Sequence, residues 1–127
     1  MKTNKDNFLE INNLFIKFKA NNGNDIYAVN HASLKINKGV ITRIIGESGS
    51  GKSIIAFSIV NLLPKNGQIV AGSIKFNGKE LTHLTNKQLE EIRGNEICFI
   101  PQNPMSSLDP FYTIENQIKE VIVKKIN

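Results

Sequence analysis

The chain has 127 residues, 40% of them hydrophobic, 21% charged and 7% aromatic, a balance that fits a globular fold and excludes a disordered or fibrous one. The net charge is +5, but the fourteen lysines are dispersed and no arginine–aromatic stripe accompanies them, so a solvated basic surface is expected and nucleic acid is not an expected partner. One cysteine gives no disulfide framework, the polar start Met1 to Asn7 opens no signal segment, and the apolar stretch Ile54 to Leu63 is half the roughly 20 residues of a spanning helix; the sequence predicts an intracellular domain, or part of one, that does not cross a membrane by itself.

In chain order, Leu9, Ile11, Leu14, Ile16 and Phe18 alternate imperfectly and predict a strand, ended by the turn formers Asn21-Asn22-Gly23-Asn24. A second alternating run covers Ala28 to Ile36 and closes at Asn37-Lys38-Gly39. Val40 to Ile45 is almost continuously apolar, the pattern of a strand buried on both faces. A glycine-rich loop follows, and then Ile54, Ile55, Ser58, Ile59 and Leu62 at helical spacing until Pro64. Asn66-Gly67, the strand Gly72 to Phe76 and the turn Asn77-Gly78 predict an antiparallel hairpin half. Thr85 to Gln88 has the spacing of a capping box, with Leu89 and Ile92 behind it and Gly94 as a stop. Glu96 to Ile100 predicts another buried strand, and the three prolines from Pro101 to Pro110 exclude regular structure there. Ile114, Ile118, Val121, Ile122 and Lys125 then mark one face of a last helix. His31 and His83 are expected as surface or turn residues and Cys98 as a core filler, none with metal-ligand spacing.

Gly46, Glu47, Ser48, Gly49, Ser50, Gly51, Lys52 and Ser53 match G-x-x-x-x-G-K-[ST] in full, after a predicted strand and at the start of a helix. The glycines let successive N–H groups point into one concavity, to which the helix dipole adds. Lys52 supplies a point charge for β- and γ-phosphate oxygens, and the Ser53 hydroxyl is suited to the bridging Mg²⁺. These eight residues predict nucleoside triphosphate binding.

That loop, Arg93-Gly94-Asn95-Glu96-Ile97, the stretch Phe99 to Pro110 centred on Gln102, and Tyr112-Thr113-Ile114-Glu115-Asn116-Gln117-Ile118 together resemble the ATP-binding subunits of ABC transporters, most of all the oligopeptide, dipeptide and nickel importer branch. The resemblance covers nearly the whole chain. It implies an α/β P-loop NTPase fold of ABC type with an antiparallel β subdomain. Residues 1–127 would form the N-terminal part of a nucleotide-binding domain, ending just after the Q-loop and before the helical subdomain is complete. It further implies ATP and Mg²⁺ as cofactors, Lys52 and Gln102 as catalytic residues, Ser53 and Gln102 on the metal, and an aromatic on the adenine, Phe18 by position with Tyr27 as the fallback. Implied partners are transmembrane permease subunits, a second ATP-binding subunit in a homo- or heterodimer and, indirectly, a solute-binding protein, at the cytoplasmic face of a bacterial membrane. ATP hydrolysis would drive import of a solute such as a peptide.

An LSGGQ-like signature, an apolar strand ending in Asp-Glu and a later switch histidine are not found; Asp6, Asp25 and Asp109 are the only aspartates. This pattern resembles the first half of such a domain, for which negligible hydrolysis by the chain alone and marginal stability are expected. A soluble ABC protein acting on nucleic acid or the ribosome, and a non-functional remnant that at most binds ATP, are the alternative readings.

Overall fold

The computed structural model describes residues 7–126. The chain divides between Ile97 and Cys98 into two compact units.

The first unit is built on a four-stranded antiparallel sheet of β1 (Asn7–Lys19), β2 (Asp25–Asn37), β3 (Gly67–Phe76) and β4 (Lys79–Glu80), in the order β2-β1-β3-β4. The imperfect alternation in β1 has a physical cause. Leu9 and Ile11 face the core at a spacing of two, and the register then slips between Ile11 and Leu14, where Asn13 adopts φ 46°, before Leu14 and Ile16 resume the buried face. A bulge adds one residue to a strand, so the apolar phase must skip one to stay on the same face. β2 makes the same skip between Val29 and Ala32, with His31 at φ 59°, and β3 gains its extra residue between Ile69 and Ala71, next to Gly72 at φ 95°. Three adjacent strands therefore share a kink, and their apolar residues still converge on one core: Leu9, Ile11, Leu14, Ile16, Val29, Ile74 and Phe76, joined by Leu81 and Ile92.

The turn chemistry follows the sequence. Asn77 and Gly78 both have positive φ, as a two-residue hairpin turn matched to strand twist requires. α2 (Asn86–Ile92) starts with the predicted capping box: the Thr85 hydroxyl accepts from the Gln88 amide, and the Gln88 side chain accepts from the Thr85 amide at 3.0 Å. His83 lies exposed in the turn ahead of α2, and His31 is exposed with its ring edge-on to Phe15 at 5.7 Å, both as expected of surface or turn residues.

Glu80 ties the short hairpin together. One carboxylate oxygen accepts from the Ile74 amide at 3.0 Å, the Thr82 amide at 3.2 Å and the Thr82 hydroxyl at 2.7 Å. Partial burial pushes this carboxyl up, but the hydroxyl and the two amides, with His83 nearby, outweigh it and hold the group below its ordinary value. A depressed folded-state value means that the stabilisation is present above the unfolded carboxylate's pKa and is lost as pH falls through the folded one. Glu80→Gln is therefore expected to remove part of the acid-side slope in a stability-against-pH series, and Glu80→Ala to cost about 1 kcal/mol at neutral pH through lost hydrogen bonds. A Glu80→Gln profile that superimposes on the parent's between pH 6 and pH 3 would contradict this assignment.

Three predicted elements are corrected. Val40 to Ile45 forms no strand, with Ile41 103% and Ile45 81% exposed, because no described strand runs alongside to complete its hydrogen-bond ladder. Glu96 to Ile100 shrinks to a single parallel bridge between Ile97 and Arg93, and Cys98, expected in the core, is exposed for the same reason. The stretch Pro101 to Pro110 does contain regular structure, a 3₁₀ turn at Pro104–Ser107 with Pro104 at its start, where a missing N–H costs nothing.

The second unit carries that turn and α3 (Ile114–Ile126). Ile114, Ile118, Val121 and Ile122 are all at least half exposed on α3. No helix among the described residues is long and apolar enough to cross a membrane.

Candidate functional site

α1 (Lys52–Ile59) begins directly at the end of the glycine-rich loop. Its first amides, those of Lys52, Ser53 and Ile54, have no carbonyl of their own helix to bond. No side chain caps them and no acidic residue occupies the first turn. The helix thus presents unsatisfied donors and the positive end of its dipole, the elements of an anion site.

The loop takes its shape from two glycines in the left-handed region, Gly49 at φ 82° and Gly51 at φ 84°. They differ in their surroundings. A Cβ on Gly49 would meet nothing within 4 Å, whereas one on Gly51 would stand 2.5 Å from the Ala28 carbonyl oxygen and 3.3 Å from a Val29 methyl. Gly51 is buried against the kinked part of β2, and this contact anchors the loop to the sheet. Gly46 is close-packed differently: a Cβ there would come within 2.9 Å of the Ser50 hydroxyl.

The Lys52 ammonium donates to the carbonyl oxygens of Gly46 at 2.7 Å and Glu47 at 2.5 Å and to the Ser50 hydroxyl at 3.1 Å. All three partners are neutral oxygens of the loop itself, and the two described ion pairs involve other lysines. The positive charge is therefore held over the loop without a carboxylate to neutralise it. Gly46 to Ser50 and Ser53 are exposed, so an incoming anion can reach the loop amides and the Ser53 hydroxyl.

The other end of α1 is fastened by a residue to which the sequence pattern assigned no role. The helix stops at Ile59, well short of Pro64, because Asn61 takes φ 50°: its amide bonds the Ser58 carbonyl at 3.1 Å and the Leu62 amide bonds that of Phe57 at 2.8 Å. The Arg93 guanidinium then donates to the carbonyls of Val60 at 2.7 Å and Asn61 at 3.0 Å. A cation at a helix C-terminus satisfies leftover carbonyls and favours the dipole. Arg93 was visible in the sequence as the first residue of the segment Arg93-Gly94-Asn95-Glu96-Ile97 that helps carry the resemblance, with no structural role attached to it.

Among the aromatic candidates, Phe18 is half-buried on β1, packs against the core and lies over Gly67, whose Cβ would come within 2.7 Å of the ring. It pairs across the ladder with Ile26, two residues before Ala28. Tyr27 is 56% exposed and lines a cavity of ≈ 380 Å³ with Phe15, Asn30, Val70 and Ala71. Gln102 is exposed in a bend ahead of the 3₁₀ turn in the second unit. Among the described residues no three His, Cys, Asp or Glu side chains gather as a metal-holding group.

Residues 29–127, which include the whole of this loop and α1, match the family described as ABC transporter. The chain belongs to the ABC transporter family. It is 45% identical over 114 residues to the oligopeptide transport ATP-binding protein OppD of Haemophilus influenzae, covering 90% of this chain and 35% of that protein. The dipeptide transport ATP-binding protein DppD of Lactococcus lactis is 40% identical over 120 residues, 94% of this chain and 34% of its own. The oligopeptide transport ATP-binding protein AppD of Bacillus subtilis is 45% identical over 116 residues, 91% and 35% respectively. The chain thus spans about a third of the length of the curated relatives it matches. Membership fits the fold: an antiparallel sheet with few helices is consistent with an N-terminal part of the ABC ATPase fold, and nucleotide binding is the activity that the family implies.

Proposed function

We propose that residues 1–127 form the N-terminal part of the nucleotide-binding domain of an ABC importer ATPase for peptides, and that this part grips the triphosphate of ATP. The observation that carries the reading is the uncapped start of α1 beneath an unneutralised Lys52 ammonium. Amides at the start of α1 take the phosphate oxygens, and Lys52 balances the charge on the β- and γ-phosphates. The exposed Ser53 hydroxyl at the start of α1 fits Mg²⁺ as well, because the ion is oxygen-seeking and is usually held by one or two protein ligands together with substrate phosphates; the family resemblance adds Gln102 as a second ligand. When bound, the metal would supply charge neutralisation on the transferring phosphoryl group. Phe18 stacks on adenine in this reading, supported by its pairing two residues from the Ala28 anchor, with Tyr27 the alternative.

In the whole protein, the reading places a second ATP-binding subunit and transmembrane permease subunits alongside, with a solute-binding protein acting through them, at the cytoplasmic face of the membrane. Its support is the relatives, which are ATP-binding proteins of oligopeptide and dipeptide transport.

The test is calorimetric titration of the chain with Mg-ATP, against the same chain carrying Lys52→Ala. Losing the charged hydrogen bonds at about 3 kcal/mol is expected to weaken binding about a hundredfold. Equal affinity in parent and variant would remove Lys52 from the site and the reading with it.

A further inference from the structure

The strand ends remote from the β3–β4 turn hold a second cationic site. β1 and the turn ahead of β3 enclose a cavity of ≈ 340 Å³ lined by Lys17, Lys19, Lys65, Asn66, Gly67 and Gln68. None of these belongs to the loop Gly46 to Ser53.

The cavity wall is pinned by the backbone. The Lys19 amide donates to the Asn66 carbonyl at 3.0 Å, the Asn66 side-chain amide donates back to the Lys19 carbonyl at 3.1 Å, and the Gly67 amide donates to the Pro64 carbonyl at 2.8 Å. Lys17 faces Gln68 and Phe18 faces Gly67 across the ladder. Successive strand residues point to opposite faces, so Phe18 turns to the core while Lys17 and Lys19 share the other face. Two lysines are thus brought to one place by the pleat, and Lys65 is added by the turn.

Their charges are unequally balanced. Lys17 is paired with Asp25 at 2.6 Å, whereas Lys19 and Lys65 have no carboxylate partner among the described residues. The cavity therefore carries a surplus of two positive charges within a lining that includes no apolar side chain, to which the Gln68 carboxamide adds a further donor. A cation would be repelled and an apolar ligand would find no apolar side chain to cover it. A doubly charged oxyanion accepts several N–H bonds at once and matches the surplus. We propose that this cavity binds a phosphate group, of a small soluble molecule or of a lipid headgroup, as a site separate from the one that holds the nucleotide.

The test is residue-resolved NMR of the ¹⁵N-labelled chain, as the parent and as Lys52→Ala, titrated at low salt with inorganic phosphate and separately with vesicles containing phosphatidylglycerol. Saturable shifts are expected at the amides of Lys17, Lys19, Gly67 and Gln68, persisting in Lys52→Ala and receding as salt is raised. Lys19→Ala combined with Lys65→Ala should weaken them at least about tenfold, as should the paired Gln substitutions, while Lys87→Ala leaves them unchanged. Shifts with free phosphate identify a soluble ligand. Selective broadening of the same amides with vesicles, and no shift with phosphate, identifies a headgroup. No saturable change at these amides with either probe, shifts that survive both paired variants, or shifts that disappear in Lys52→Ala would overturn the proposal.

Discussion

Gly51→Ala is expected to destabilise the chain by about 3 kcal/mol and to abolish measurable Mg-ATP binding, while Gly49→Ala costs about 1 kcal/mol and weakens binding only modestly. The two glycines have almost the same backbone, φ 84° and φ 82°, so the conformational penalty of a side chain at positive φ is common to both. What differs is space. A methyl at 51 would stand 2.5 Å from the Ala28 carbonyl oxygen, part of a strand already kinked by the slip at His31, which cannot retreat without breaking ladder bonds. The loop would have to lift off β2, and α1, whose Ile54, Ile55 and Ile59 pack on the core, would lose its aim. The comparison separates conformation from contact in one experiment: urea unfolding followed by circular dichroism, with calorimetry on the same samples. Equal losses in the two variants would show that the Ala28 contact does not set the loop's position.

The contrast between these glycines shows what the sequence could convey. G-x-x-x-x-G-K-[ST] between an apolar run and a helix pattern was legible because the motif encodes a local shape, and local shape is decided by residues near each other in the chain. The same holds for Asn77-Gly78 and for the capping box at Thr85, both formed as their spacing predicts. The bulges were written in the sequence as well, in the step of three from Ile11 to Leu14 amid steps of two, but a broken alternation does not say whether the strand ends or slips. That answer comes from the partners, since Ala32 and Ile74 keep the slipped residues company.

What was not legible depended on distant chain. Val40 to Ile45 has the composition of a central strand, yet composition states only that a segment is suited to burial and not what covers it. A strand needs a neighbour on at least one edge, and among the described residues none lies there. Glu96 to Ile100 and Cys98 fail together on the same ground. The relatives, about three times as long, have chain beyond the matched region that a continuous ladder could draw on. Arg93 belongs to the same class: its partners, the Val60 and Asn61 carbonyls, lie more than thirty residues away, so no local pattern could assign them.

Gly72→Ala is expected to be the most damaging single substitution in the sheet, at about 4 kcal/mol or more, although the sequence marks Gly72 only as the first residue of a strand. The structure puts it in the middle of β3, opposite the slip in β1, at φ 95°. An added Cβ would meet the Asn13 carbonyl oxygen at 2.4 Å, the Leu14 Cα at 2.6 Å and the Asn12 carbonyl oxygen at 2.7 Å. All three are backbone atoms of the neighbouring strand, and Asn13 is itself held by the Ser33 hydroxyl, which accepts its amide at 3.0 Å, so no rotamer change can relieve the contact. Relief would require β1 and β3 to separate at the kink, where Leu14 is fully buried and Ile16 and Ile74 lie on either side of the slip. Gly78→Ala supplies the control: φ is 79° there, the space is open, and about 1 kcal/mol is expected from conformation alone. Chemical denaturation of both variants decides the matter. If Gly72→Ala unfolds at the same urea concentration as Gly78→Ala, the three strands do not share the close-packed kink that carries β2 up to the glycine-rich loop.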